Sequence, residues 1–132
     1  MMLAKIMIVE DNPDIRQALE VQLRTANYRT VWAEDASGAI DLCSEESPDL
    51  VLLDLGLVGG DGFMVMERLQ HDNAHTPIIV LSARDPALNE ALALQLGAVA
   101  FMEKPWKMND LLTAIKRFVG ACKPDLFAAG TV

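Results

Sequence analysis

Long apolar runs are missing from this chain of 132 residues. None approaches the length needed to cross a membrane, so no transmembrane helix is expected. Basic clusters are missing too. Lys and Arg number 11 against 19 Asp and Glu, a formal net charge of -8, which argues against direct nucleic-acid binding by this chain. The acidity suits solubility and docking to a basic surface. Cysteine is scarce. Cys43 and Cys122 lie far apart and form neither a metal-ligand pattern nor a CxxC pair, which points to free thiols in a reducing compartment. An acidic residue arrives at Glu10, too early for the apolar core and cleavage site of a signal peptide. These absences predict a cytoplasmic protein with no membrane partner. Internal repeats and low-complexity segments are also lacking. What is present is a hydrophobic share of 52%, enough for a sizeable core in one ordinary domain.

Strand and helix signals alternate five times along the chain. Strands are expected over residues 4–9, 29–33, 50–54, 78–81 and 98–102. Helices are expected over 14–26, 36–46, 63–71, 86–96 and 107–121. The first helix carries Ile15, Ala18, Leu19, Gln22, Leu23 and Ala26 at helical spacing. Pro13 precedes it, where a missing N–H is harmless, and Asn27 suits the left-handed position after its end. Pro48 stops the second helix and Gly97 closes the fourth. Five βα units with short loops predict an α/β fold: a single doubly wound (βα)5 domain with a parallel five-stranded sheet. The strand order 2-1-3-4-5, flavodoxin-like, is favoured because a central strand must carry Asp54 between its neighbours. Residues 1–122 form the expected domain. Residues 123–132 lack periodicity and are expected to be a frayed tail or a cut linker.

Each apolar run ends in a polar residue. Ile6-Met7-Ile8-Val9 ends in Glu10-Asp11, and Leu50-Val51-Leu52-Leu53 ends in Asp54. Ile78-Ile79-Val80-Leu81 ends in Ser82, and the stretch from Ala98 to Glu103 ends in Lys104-Pro105. Runs of this kind are strands buried on both faces of a parallel sheet. Ligands in such sheets bind beyond the carboxyl ends of the strands. All four endings are therefore expected on one edge. Three carboxylates, a hydroxyl and an ammonium can together hold a divalent cation and a phosphoryl group, with Asp54 as acceptor.

The order Glu-Asp, Asp, Ser, Lys-Pro, each at a strand's end, resembles the receiver domain of two-component response regulators. The resemblance covers roughly residues 4–121. Flanking text agrees: Ile8-Val9-Glu10-Asp11-Asn12-Pro13, Leu53-Asp54-Leu55-Gly56-Leu57, Gly60-Asp61-Gly62-Phe63, Leu96-Gly97-Ala98 and Phe101-Met102-Glu103-Lys104-Pro105. Any one piece is weak, and their joint order is the signal.

The resemblance implies that Asp54 takes a phosphoryl group from a histidine kinase or phosphotransfer protein. It implies Mg2+, with Mn2+ as a substitute, on Asp11, Asp54 and the backbone carbonyl of Gly56, with Glu10 acting directly or through water. Lys104 would pair with phosphoryl oxygens and Ser82 would donate to one. Lys104-Pro105 would be a cis bond. Phe101 would be a switch residue answering Ser82; plain core packing is its alternative reading. Output would pass through the fourth helix, fifth strand and fifth helix to a downstream protein or an attached effector domain. A phosphorylation-dependent dimer is one form of that output, although Val99-Ala100-Phe101 lacks the acidic residues some receivers use in dimer salt bridges. Leu92, Val99 and Phe118 are expected to pack in the core; an apolar face that meets a partner is their alternative reading. Trp106 is expected at the site's rim and Trp32 in packing. His71 and His75 are expected to be solvated bystanders.

Two departures and two rival functions matter. Val58 replaces a frequent proline, and the acid pair is Glu-Asp where Asp-Asp is usual. An aspartate-nucleophile phosphatase of the same fold class needs a second acid two residues after the nucleophile, where this chain has Gly56. A flavodoxin-like cofactor binder needs a phosphate-cradling loop after the first strand. Here that loop is Glu10-Asp11-Asn12-Pro13-Asp14, which repels phosphate. The chain is therefore expected to be no enzyme beyond its own phosphorylation and dephosphorylation.

Overall fold

In the computed structural model, strands form at Lys5–Val9 (β1), Arg29–Ala33 (β2), Leu50–Asp54 (β3), Ile78–Ser82 (β4) and Ala100–Glu103 (β5). Helices form at Pro13–Thr25 (α1), Ala36–Glu46 (α2), Gly62–Asp72 (α3), Pro86–Gln95 (α4) and Met108–Val119 (α5). The structure describes residues 4–56, 62–72, 75–83 and 85–119. The strands pair in parallel in the order β2-β1-β3-β4-β5, as the sequence predicts. The predicted tail at 123–132, the last two residues of the predicted fifth helix, and the loop holding Val58 lie outside the described residues.

Alternation within each strand splits the core in two. Met7, Val9, Val51, Leu53 and Val80 face α2, α3 and α4, where Val65, Met66 and Leu69 meet them. Ile6, Ile8, Leu50, Leu52 and Leu81 face α1 and α5, where Leu19, Leu23, Leu111 and Ile115 meet them. Every residue of β3 and β4 is buried, whereas β2 and β5 are half open. That is the pattern of central and edge strands with helices on both faces.

Register is what assembles the sheet's C-terminal edge. Val9 lies beside Leu53, so Glu10 follows on a level with Asp54. Asp54 lies beside Leu81, and Ser82 beside Glu103, so Ser82 and then Lys104 step forward from the acids.

Local chemistry sets the helix ends. Asn12 caps α1, its Oδ1 accepting from Asp14 N at 2.9 Å, with Pro13 following, so the helix begins one residue before the predicted start. Asn27 has φ 72, the left-handed conformation expected after the helix. Asp35 caps α2 and Asp85 caps α4. Since Asp85 takes the capping role, Ser82 is not the cap of α4. β5 begins two residues later than predicted because Ala98 N–H still bonds Ala93 O and closes the end of α4.

Two helical faces differ from expectation. On α1 the buried residues are Arg16, Leu19 and Leu23, while Ala18 and Gln22 are exposed. The stripe is rotated toward β2, where the Arg16 guanidinium lies 3.8 Å from the centre of the Trp32 ring. Arg16 Nε and Nη1 are buried without hydrogen-bond partners, so the stack on Trp32 is their principal compensation. On α4 only Ala93 is buried. Leu92 is therefore exposed, with Leu88 and Leu94, contrary to the expectation of core packing. Val99 and Phe118 do pack against the core as expected. A helix seated through one small side chain cannot bury its leucines on the sheet.

Gly62 opens α3 under a steric demand. A Cβ there would stand 2.4 Å from Leu55 Cα and 2.9 Å from Asp54 O. Both are backbone atoms that cannot swing aside. Gly62→Ala should therefore lose about 1–3 kcal/mol of stability. Urea denaturation measures it, and a loss below roughly 0.5 kcal/mol, the level of an ordinary surface change, would contradict the close approach.

Candidate functional site

Glu10, Asp11 and Asp54 each offer a carboxylate oxygen within 4.8 Å of the others. Glu10 and Asp54 are buried and Asp11 is half-buried. Lys104, on the loop after β5, sends its ammonium to Glu10 Oε1 at 2.7 Å and stands 3.5 Å from Asp54 Oδ1. The Lys104-Pro105 bond is cis, and Lys104 N–H donates to Ser82 O at 2.8 Å. Ser82 is wholly buried at the end of β4. Gly56 N–H donates to Asp54 Oδ1 at 3.2 Å. The structure thus brings together every predicted site residue at the strand ends. Phe101 stands apart from them: it is half-buried and packs against the core under α3 and α4.

Charge governs what this group can do. Three carboxylates against one ammonium leave two negative charges uncompensated when all are ionised. Burying like charges together is costly, and a second cation relieves it. The donors are hard oxygens, the set that Mg2+ and Ca2+ prefer. On chemistry alone, then, the residues present fit a small divalent cation.

A groove of about 520 Å³ opens beside Lys104, walled by Ile15, Ala18, Leu19 and Gln22 of α1 and by Pro105, Trp106 and Met108. Trp106 walls this groove and packs against the core on the face of α1 and α5. The Arg16–Trp32 stack was not anticipated. Its signal is the 16-19-23 spacing, which aligns Arg16 with Leu19 and Leu23 on one helical face. The tie between Glu10 and Lys104 was also missed, because sequence separation of 94 residues hides it. His71 lies exposed beside Asp72, and His75 is exposed. Among the described residues no helix is long and apolar enough to cross a membrane.

Burial pushes the Glu10 carboxyl above its ordinary value, against the opposing pull of the Lys104 hydrogen bond. A carboxyl raised in the native state holds its proton more tightly there than in the unfolded chain. Its contribution to stability is full below the ordinary value of 4.5 and is lost as pH rises through the raised one. Glu10→Gln should therefore be more stable than the wild type at neutral pH, and the advantage should shrink on acidification. Urea denaturation at neutral pH and near pH 4 checks both. A variant less stable than the wild type at neutral pH would contradict the burial argument.

Comparison with known proteins gives one consistent family. A family model described as the response regulator receiver domain matches residues 6–116. Among solved structures, the chain is similar to the BeF3-activated N-terminal receiver domain of RstA from Klebsiella pneumoniae. Identity is 30%, with 86% of this chain and 97% of that chain covered and a TM-score of 0.81. It is also similar to the receiver domain of a sensor histidine kinase from Pseudomonas aeruginosa, described with a magnesium ion coordinated in its active-site cleft. That match has 27% identity, covers 91% of this chain and 99% of that one, and has a TM-score of 0.81. NtrX from Brucella abortus matches at 27% identity with a TM-score of 0.84; 99% of this chain covers 30% of that longer one.

Proposed function

The chain belongs to the response regulator receiver domain family, and on that premise we propose that Asp54 accepts a phosphoryl group and makes the domain a signalling switch. The observation that carries the proposal is the placement of Asp54 between two further carboxylates and Lys104 at one sheet edge. The donor is a phosphohistidine on a histidine kinase or phosphotransfer protein. An Asp54 oxygen attacks phosphorus as the donor's N–P bond breaks, the electron pair leaving with the imidazole, and an acyl phosphate forms.

Mg2+, or Mn2+ in its place, would be held by Asp11, Asp54 and the Gly56 carbonyl, with Glu10 direct or through water, and would supply neutralising charge to the transferring oxygens. The magnesium described in the Pseudomonas aeruginosa receiver supports this choice of metal. Lys104 supplies the fixed cation for the phosphoryl oxygens. Ser82, buried at the adjoining strand end, donates its hydroxyl to one of them. The catalysis is of the domain's own phosphorylation and of water attack on the product; its output is binding.

That output runs through α4, β5 and α5. Ser82 lies four residues before α4, whose one fully buried residue is Ala93 and which presents Leu88, Leu92 and Leu94 outward. A helix with so little buried surface is drawn from the low-stability end of the fold and can shift without dismantling the core. Movement of Ser82 toward the phosphoryl group would open room for Phe101, which lies beside Val80 on the neighbouring strand. The partner is a downstream protein or an attached effector domain. The greater length of NtrX supports the attached form, and pairing of two phosphorylated copies is a further use of the same face.

Amide exchange with and without Mg2+ and beryllofluoride tests this reading in the wild type and in Asp54→Asn. Coupling of about 1–3 kcal/mol should change protection on residues 86–95 and 100–119 in the wild type. No change is expected in Asp54→Asn. A wild-type response confined to the loops around Asp54 would contradict the output face, and an equal response in Asp54→Asn would contradict the acceptor.

A further inference from the structure

The two ends of α4 are held differently. Near its start the hydrogen bonds among the described residues stay within residues 85–89. Asp85 Oδ1 accepts from Ala87 N–H at 2.9 Å, and Asp85 O accepts from Asn89 Nδ2 at 2.8 Å and from the Leu88 and Asn89 N–H groups. Ala87, Leu88, Glu90, Ala91 and Leu92 are exposed. The other end is tied to the body of the domain. Ala93 and Ala98 are buried, and Leu96 packs against the same core cluster. Val99 N–H donates to Ile78 O of β4 at 2.9 Å. From α3, Gln70 Nε2 donates to Gly97 O at 3.2 Å. Gly97 has φ 112, a conformation that glycine adopts at little cost. A Cβ there would stand 3.1 Å from Gln70 Cδ and Nε2, so the Gln70 side chain lies directly on the turn. α3 is a firm anchor for it, because Val65, Met66 and Leu69 are buried.

We infer that Gln70 is a positioning residue: it clamps the turn at Gly97 and makes that turn the pivot about which α4 swings. The inference deepens the proposed output and rests on it. A helix rises about 1.5 Å per residue, so Pro86 stands about 16 Å along the axis from Gly97. On a lever of that length a tilt of about 10° carries the far end by about 3 Å and leaves the turn in place. Ser82 precedes the far end, so a pull at Ser82 acts on the long arm. Leu88 and Leu92 travel with that arm, while Leu96 and Ala98 stay in the core. The clamp needs both the length of Gln70 and its N–H donor.

Residue-resolved amide exchange on the whole chain, with and without Mg2+ and beryllofluoride, tests the pivot in the wild type, Gln70→Ala and Gln70→Met. In the wild type, beryllofluoride should change protection most near residue 88 and progressively less toward residue 95, with residues 96–99 unmoved. Without beryllofluoride, Gln70→Ala should speed exchange at residues 96–99 by roughly fivefold, the scale of one net hydrogen bond. With beryllofluoride, the response in that variant should spread into residues 96–99. Gln70→Met keeps the length and loses the donor, and it should behave as Gln70→Ala does. Acetyl phosphate should label Asp54 at the same rate in all three proteins. A wild-type response of equal size from residue 87 to residue 99 would overturn the pivot and leave the output face standing. Unchanged exchange at residues 96–99 in Gln70→Ala or in Gln70→Met would overturn the clamp. Slower labelling of either variant would put Gln70 to work at the acid site and overturn the inference. A wild-type α4 that does not respond to beryllofluoride would overturn the output reading, and the pivot with it.

Discussion

The crowding of Glu10, Asp11 and Asp54 at one edge of the sheet is the constraint on which the rest of the site depends. Coulomb repulsion between carboxylates this close would push them apart on a flexible scaffold. Here they cannot separate, because β1 and β3 are paired in register and buried on both faces. The hydrophobic core therefore stabilises an arrangement that electrostatics alone would reject. Lys104 supplies partial relief, and it does so from the far side of β4 through a fixed turn. The remaining deficit of positive charge suits the edge to a cation, on which the proposed phosphoryl transfer would draw.

The same economy of contact separates the deeply buried central strands from the lightly buried α4. β3 and β4 contribute wholly buried residues to both halves of the core. They anchor the strand ends that carry Asp54 and Ser82. α4, next along the chain, has one buried residue. A small displacement at the strand end can therefore be absorbed by the central strands and expressed by the helix. The exposed leucines of α4 follow from that weak seating and would suit a surface covered by a partner in only one of two states.

Much of this was legible in the sequence because the relevant physics is local. Apolar runs buried on both faces fix strand identity, and alternation with amphipathic helices fixes the parallel order. The polar ends of those runs then meet by topology. Asn27 in the left-handed region and the cis Lys104-Pro105 bond were likewise readable from residue type and resemblance. The rest depends on tertiary geometry. Arg16 is a polar residue whose burial is decided by the face of α1 that packs on β2, and Trp32 becomes its stacking partner only across that contact. Leu92 looked like core, but helix position around Ala93 turned it outward. The Glu10–Lys104 tie depends on side-chain reach across three strand boundaries, which no local pattern encodes.

The central claim is that this edge makes Asp54 a metal-dependent phosphoacceptor. Peptide-resolved mass spectrometry of the intact chain treated with acetyl phosphate tests it most directly, with Mg2+ in one sample and chelator in the other. The account predicts a single phosphoryl group, on the peptide holding Asp54, in the Mg2+ sample and little or none with chelator. A phosphoryl group on His71, His75 or Ser82, or equal labelling of Asp54 in both samples, would contradict it.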